Sequence, residues 1–374
     1  MSPGFVLFVG ALVLPFLPRL LRRIWVPALG VMALLAVANL APGDTQTGWF
    51  WGESLGVLQV DPIRLLFGLA FALSALVWGI YAWNNDDRLE RTSGLLYAGA
   101  ALVVVFAGDW LLLFLGWEVM SLASTVVILA GRRPEAYRAA FRYLLVHLTS
   151  GVLVLAGISL VQASTGSTTV GPLALDGLGP WLLFLGFAIN AAVWPLQFWV
   201  PDAYPEATPT GTVLLGTYTT KSAAFAMIMV FAGEPILLAF GAVMALYGVI
   251  YALSTRNYRR LLAYSLVGQV GFVLAAAGAG PAAGPDGFSL GQSAAAAHAF
   301  MHVLYKSLLF MSAGAVLLRT GKPEGGGFGG LWRQMPWAFG FGVVGAATIC
   351  ALPLTGAFAS KTLITTAVHE DPTR

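Results

Sequence analysis

Long apolar runs separated by short polar connections fill the chain. They lie near 3–18, 24–41, 60–83, 93–108, 110–130, 139–163, 179–200, 210–232, 235–254, 261–280, 293–318 and 336–368. Each approaches the roughly 20 residues a helix needs to cross a bilayer core. The runs are continuous rather than alternating, so the pattern predicts about twelve membrane-spanning helices and no β-barrel. Two runs are interrupted. One is NAAVWPLQFWVPDAYPEATPTG, with Pro195, Pro201, Pro205 and Pro209; the other is CALPLTGAFASK, with Pro353 and Gly356. A break at membrane depth is tolerated only where the freed backbone lines a cavity or is buried in protein. One broken helix in each half points to inverted repeats with a pathway at the breaks.

Composition agrees. Of 374 residues, 58% are hydrophobic and 10% charged, against roughly 25% charged in soluble chains. A water-facing surface cannot be built from that, which excludes a soluble enzyme, a disordered chain and a nucleic-acid binder. Cys350 is the only cysteine, so neither an intrachain disulfide nor a cysteine-based metal site is possible; it reads as a small apolar residue in a helix. The apolar N-terminus has Arg19, Arg22 and Arg23 after its run and no basic residue before it. That is the reverse of a cleaved signal peptide and predicts a retained first helix over 3–21.

Charge placement adds orientation. Fifteen of the 20 basic residues fall in every second connection: Arg19, Arg22 and Arg23; Arg88 and Arg91; Arg132, Arg133, Arg138 and Arg142; Arg256, Arg259 and Arg260; Arg319, Lys322 and Arg333. The intervening connections carry Asp44, Glu53, Asp176, Glu234 and Asp286 and no Lys or Arg. The positive-inside rule then places the Arg-rich loops in the cytoplasm and the N-terminus outside. The other basic residues are Arg64, Lys221, Lys306, Lys361 and Arg374. Arg64, at the outer end of its run, is expected to snorkel to the interface.

Three of the four lysines thus sit inside apolar runs. A charge at mid-bilayer costs roughly 3 kcal/mol, and such groups face a bundle interior or a wet cavity. Glu118 lies nine residues past Asp109, about 13 Å along a helix and near the membrane centre. It reads either as a neutral carboxyl bonded to a neighbouring helix or as an ion or proton site. Lys221, about a dozen residues into its helix, reads as a structural partner for a carboxylate or as a proton carrier, since buried lysine can shed its charge. His298, His302 and Lys306, in AHAFMHVLYKSLLF, are four residues apart and share one helix stripe, about 6 Å between successive members. Two imidazoles followed by a lysine suit a proton relay; packing histidines are the alternative, and a metal site lacks an evident third ligand. The Gly-rich EGGGFGGLWRQM (324–335) has no preceding strand and no following Lys-Ser/Thr. It is not a phosphate loop and reads as a flexible cytoplasmic connection.

In order along residues 60–370 come GWEVMSLAS, PLQFWVPDAYPEATPTG, TTKSA, RRLLAYSLVGQVGF, AHAFMHVLYKSLLFMSAGAVL, GLWRQMP and LPLTGAFASK. This series resembles the antiporter-like membrane subunits shared by respiratory complex I and Mrp-type multisubunit sodium/proton antiporters, and most of all the D-type subunit. The resemblance implies an all-α polytopic membrane protein with about twelve helices of a fourteen-helix fold. Three N-terminal helices (1–92) would precede a first inverted repeat of five helices (93–232, broken near 190–209). A second, incomplete repeat (233–374, broken near 350–361) would follow. It also implies a proton pathway through Glu118, Lys221, His298, His302, Lys306 and Lys361, lined at the breaks by Asn190, Pro195, Gln197, Pro353 and Gly356. No cofactor and no catalytic chemistry of its own are implied. The expected partners are other membrane subunits, the lipid bilayer, protons and sodium ions; the location is a bacterial-type cytoplasmic membrane.

Two positions depart from the family pattern. Pumping members carry a lysine where this chain has Asn190, and often a histidine where it has Gln197. Without that cation Glu118 is less stabilised as an anion. The chain also ends 13 residues after Lys361, so a partner chain is expected to supply the remaining helices. Three readings stay open at this point. They are a subunit that exchanges cations for protons, a proton-channel subunit of a redox-driven or inorganic-carbon uptake complex, and a non-conducting scaffold.

Overall fold

A computed structural model describes residues 2–50, 53–280, 287–322 and 329–370. Asp286, Arg374, the end of the polar tail and 324–328 of the Gly-rich stretch lie outside the described residues.

In chain order the helices are α1 (Pro3–Val13), α2 (Arg19–Ala38), α3 (Pro62–Tyr81), α4 (Arg88–Phe106), α5 (Trp110–Leu129), α6 (Pro134–Thr165), α7 (Leu178–Asn190) and α8 (Trp199–Ala203). They continue as α9 (Pro209–Thr217), α10 (Thr219–Val230), α11 (Pro235–Leu253), α12 (Tyr258–Ala277), α13 (Leu290–Thr320), α14 (Leu331–Gln334), α15 (Pro336–Ile349) and α16 (Gly356–His369). Each predicted run is helical. Among the described residues nine helices, α9–α10 counted as one, are long and apolar enough to cross a membrane; Pro3–Phe16, α7 and α15 are shorter apolar helices. These shorter ones are where a single long helix was expected and proline intervened. Pro15 and Pro18 end the first helix well before residue 21, because proline donates no hydrogen bond and crowds the preceding turn.

Local chemistry starts the helices. Proline opens α1, α3, α6, α9, α11 and α15, where its missing N–H costs nothing. The side chains of Asp61, Asp87, Asp109, Thr208, Asn257 and Ser289 accept backbone N–H groups at their caps, satisfying donors that a helix start leaves free. Gly248 and Gly268 let α11 and α12 approach so closely that a Cβ on Gly248 would overlap the Gly268 backbone. Small residues do this between membrane helices, where apolar burial alone gives little.

The two sets of loops form two faces. On one, Arg19 and Arg22 pair with Asp86, Arg132 with Asp87 (2.7 Å), Arg133 with Glu206 (3.2 Å) and Arg142 with Asp202 (2.7 Å). Buried Arg259 donates to the carbonyls of Tyr204, Pro205, Ala207 and Thr208 at 2.6–3.3 Å. On the other face the connections join through backbone: Gly108 to Gly56, Trp110 to Thr168, Leu173 to Val230 and Gly233 to Ala277.

Four expectations need correction. Residues 42–59 contain an antiparallel hairpin, β1 (Thr45–Phe50) against β2 (Glu53–Gln59), where only a connection was foreseen. Arg64 does not snorkel: it is 1% exposed and donates to the carbonyls of Val105 (2.9 Å) and Ala107 (2.6 Å) as well as to Asp61. The carbonyls ending α4 lack intrahelical donors and take the guanidinium. Leu331–Gln334 of the expected flexible connection forms α14. Cys350 is exposed and caps α15 at the break rather than sitting within a helix.

Candidate functional site

Both broken helices end with the same backbone device. In α7, Val193 N–H donates to Ala188 (2.9 Å) and Ala192 N–H to Ile189 (3.1 Å), with Ala192 at φ 57°. In α15, Leu352 N–H donates to Ala347 (3.1 Å) and Ala351 N–H to Thr348 (2.9 Å), with Ala351 at φ 56°. This is the Schellman closure, with alanine in the left-handed position glycine usually holds. The following residues differ. After α7 the Trp194–Pro195 peptide is cis, and Trp199 Nε1 donates to Ile189 O (2.9 Å). After α15, beyond exposed Pro353, α16 starts at Gly356, whose missing Cβ makes room for Met301 Sδ. Lys361 Nζ then reaches back to Ile349 O (2.9 Å) and stands 5.0 Å from the Phe272 ring centre.

A third interruption falls between α9 and α10. Thr219 N–H donates to the Tyr97 hydroxyl (2.9 Å) instead of continuing the helix ladder, and the Thr219 and Tyr97 hydroxyls also share a hydrogen bond. Two residues on, fully buried Lys221 donates to Gly216 O (2.6 Å) and Thr220 Oγ1 (3.2 Å). An interrupted helix leaves carbonyls without donors, and the ammonium takes one of them.

His298, His302 and Lys306 line one buried stripe of α13 as their spacing predicts. The imidazole rings are 6.3 Å apart and nearly parallel. Lys306 Nζ donates to Ser265 Oγ on α12 (2.5 Å), and His298 Nδ1 pairs with Ser360 Oγ on α16 (2.9 Å), beside Lys361. Lys221, Lys306 and His302 lie within electrostatic reach of one another. The structure therefore gathers Lys221, His302, Lys306, His298 and Lys361 into one row across α10, α13 and α16. No acidic side chain pairs with these lysines among the described ion pairs.

Glu118 stands apart from that row. It is half-buried on α5 and packs on Gly151 of α6, where a Cβ would overlap its Oε1; that oxygen has no hydrogen-bond partner among the described residues. Asn190 is fully buried with neither amide atom partnered, and Gln197 is buried with Oε1 unpartnered. The structure brings neither to a lysine.

Sequence reasoning missed what lies between. His147 is fully buried in α6, one turn from Gly151, with Nδ1 on Tyr143 O (2.9 Å) and Nε2 unpartnered. Its ring stacks on Tyr143 (3.8 Å between centres) and meets Trp199 edge-on (4.6 Å). The Tyr143 hydroxyl donates to Ser124 Oγ (2.9 Å) and lies 3.1 Å from Thr219 Oγ1. A histidine inside the apolar run LLVHLTSG carried the same signal as the lysines: a polar group placed where it is costly.

Residues 107–371 match a family described as NADH:quinone oxidoreductase/Mrp antiporter, TM. A Na(+)/H(+) antiporter subunit of Alkalihalophilus pseudofirmus is 29% identical over 96% of this chain and 50% of its own length. NAD(P)H-quinone oxidoreductase chain 4 1 of a Synechococcus species is 30% identical over 84% of this chain and 61% of its own. A chain in the structure of the Mrp complex from Dietzia sp. DQ12-45-1b superposes with a TM-score of 0.88 at 25% identity, covering 99% of this chain and 43% of that one. The chain thus spans less than two thirds of the length of these relatives.

Proposed function

Since the chain belongs to the NADH:quinone oxidoreductase/Mrp antiporter family, we propose that it is a multi-pass membrane subunit that translocates protons through Glu118, Lys221, His302, Lys306 and Lys361. The carrying observation is the row of buried lysines and histidines with no acidic partner. Each buried charge costs roughly 3 kcal/mol, and that cost buys nothing in a scaffold. Groups that exchange a proton cheaply and stand in sequence make a conduit instead. Asn190, Pro195, Gln197, Pro353 and Gly356 mark the two breaks beside it, and the matching Schellman closures support 93–232 and 233–374 as repeated units.

The coupled reaction is exchange of protons for a cation, sodium in this reading, within a hetero-oligomer of membrane subunits in a bacterial-type cytoplasmic membrane. One partner would complete the second repeat. The Arg-rich face is cytoplasmic, and the N-terminus is outside. The quinone oxidoreductase relative supports a second reading, in which the same conduit serves a redox-driven complex. Co-purifying subunits decide between them: iron–sulfur or flavin proteins favour the redox complex, small antiporter subunits the exchanger.

The test is proton flux in everted vesicles containing the assembled complex. Glu118→Gln and Lys306→Ala are expected to abolish flux at normal expression. Unchanged flux in both would leave the chain a scaffold.

A further inference from the structure

At the end of α7 stands Asn190, an amide that does not carry a proton near neutral pH. The groups that can carry one lie on α6, across from the break. Glu118 packs on Gly151, and His147 follows one helical turn away, with Nε2 buried and unpartnered. Because Nδ1 sits on the Tyr143 carbonyl, it holds the hydrogen of the neutral ring, and the free lone pair is on Nε2. His147 stacks on Tyr143, whose hydroxyl joins Ser124 on α5 and Thr219 on α10. Thr219 is two residues from Lys221, whose amine bonds Thr220. The hydroxyl of Tyr204, in the same aromatic cluster through Trp199, is likewise buried without a protein partner. Buried polar atoms left open in this way are the places where proteins hold ordered water.

We infer that His147 is a proton relay between Glu118 and Lys221, acting with bridging water through the hydroxyls of Ser124, Tyr143 and Thr219. The inference rests on the proton-translocating reading above and gives that pathway a route that does not need a cation at position 190. The balance is simple. The Glu118 carboxyl gives its proton to Nε2, leaving a carboxylate and an imidazolium. The imidazolium passes the Nε2 proton to the hydroxyl chain and returns to neutral. Each hydroxyl releases its own proton as it accepts the next, and one proton arrives on the neutral Lys221 amine.

The experiment measures proton flux by the assembled complex in everted vesicles, in H2O and in D2O. His147→Gln keeps a polar side chain of similar reach, and Tyr143→Phe removes one oxygen and leaves the ring, so assembly is checked by co-purification yield for both. The relay predicts at least about a tenfold loss of flux in each, with a larger H2O/D2O ratio for the flux that remains, because proton transfer becomes limiting. Unchanged flux, or a loss at an unchanged isotope ratio, overturns it; the latter is the mark of a packing role. If Glu118→Gln abolishes flux while the His147 and Tyr143 variants do not, the relay falls and the pathway stands. If Glu118→Gln and Lys306→Ala also leave flux intact, the pathway itself falls.

Discussion

Lys361 donates a 2.9 Å hydrogen bond to the carbonyl of Ile349, twelve residues earlier and across the second helix break. A helix end presents unpaired carbonyls and the negative end of its dipole, so it holds a cation well. The lysine therefore both completes the broken helix and stands in the pathway. Lys361→Met should abolish proton flux and lower stability by about 1–3 kcal/mol, the range for losing a charged hydrogen bond. Thermal unfolding of the purified complex beside vesicle flux checks both halves. Lost flux at unchanged stability would mean that the bond to Ile349 contributes nothing.

Gly151 offers the opposite dissociation. Alanine is favoured over glycine inside a helix by about 1 kcal/mol, so Gly151→Ala should leave the fold as stable or more so. Its new methyl would overlap Glu118 Oε1 and displace the carboxyl. Reduced flux with an unchanged or raised unfolding temperature is the expected pair of results, and normal flux would place the working carboxyl elsewhere.

Ala192 and Ala351 hold φ angles of 57° and 56°, a region that costs an L-residue about 1–2 kcal/mol and glycine little. Glycine loses more freedom on folding, which cancels part of that gain. Ala192→Gly and Ala351→Gly should each stabilise the protein, by up to about 1 kcal/mol, readable as a higher unfolding temperature in detergent. A lower temperature in both variants would contradict the backbone description of the breaks.

Orientation can be read by labelling. Cys350 is the only cysteine, so a Cys350→Ser background is blank. A cysteine replacing exposed Arg132 should react with an impermeant thiol reagent only in everted vesicles. One replacing exposed Ser167 should react only in right-side-out cells. The reverse pattern would invert the proposed topology.

The helices and the lysine row were legible because each is a local anomaly: a long apolar run, or a cation inside one. His298, His302 and Lys306 were legible as a unit because four-residue spacing turns directly into a shared helix face. His147 was equally anomalous in its own run, but its meaning depends on Ser124 and Thr219, which other helices bring to Tyr143. Spacing along one helix carries no record of such neighbours. Arg64 misled for the same reason, since the carbonyls it caps lie about forty residues away, at Val105 and Ala107. The hairpin at 45–59 was hidden because its strands stand outside the long apolar runs.

Arg259 ties four successive parts of the 204–208 turn to the first turn of α12. That turn follows the first break, and α12 carries Ser265, the partner of Lys306. Rocking one half of the molecule against the other at this face would tear all four bonds, a cost of roughly 6 kcal/mol or more at the usual worth of a charged bond. At this end the molecule is a stiff frame. Work done on it must be stored in the rearrangement of protons and water, as in a wire, rather than in the swing of a gate.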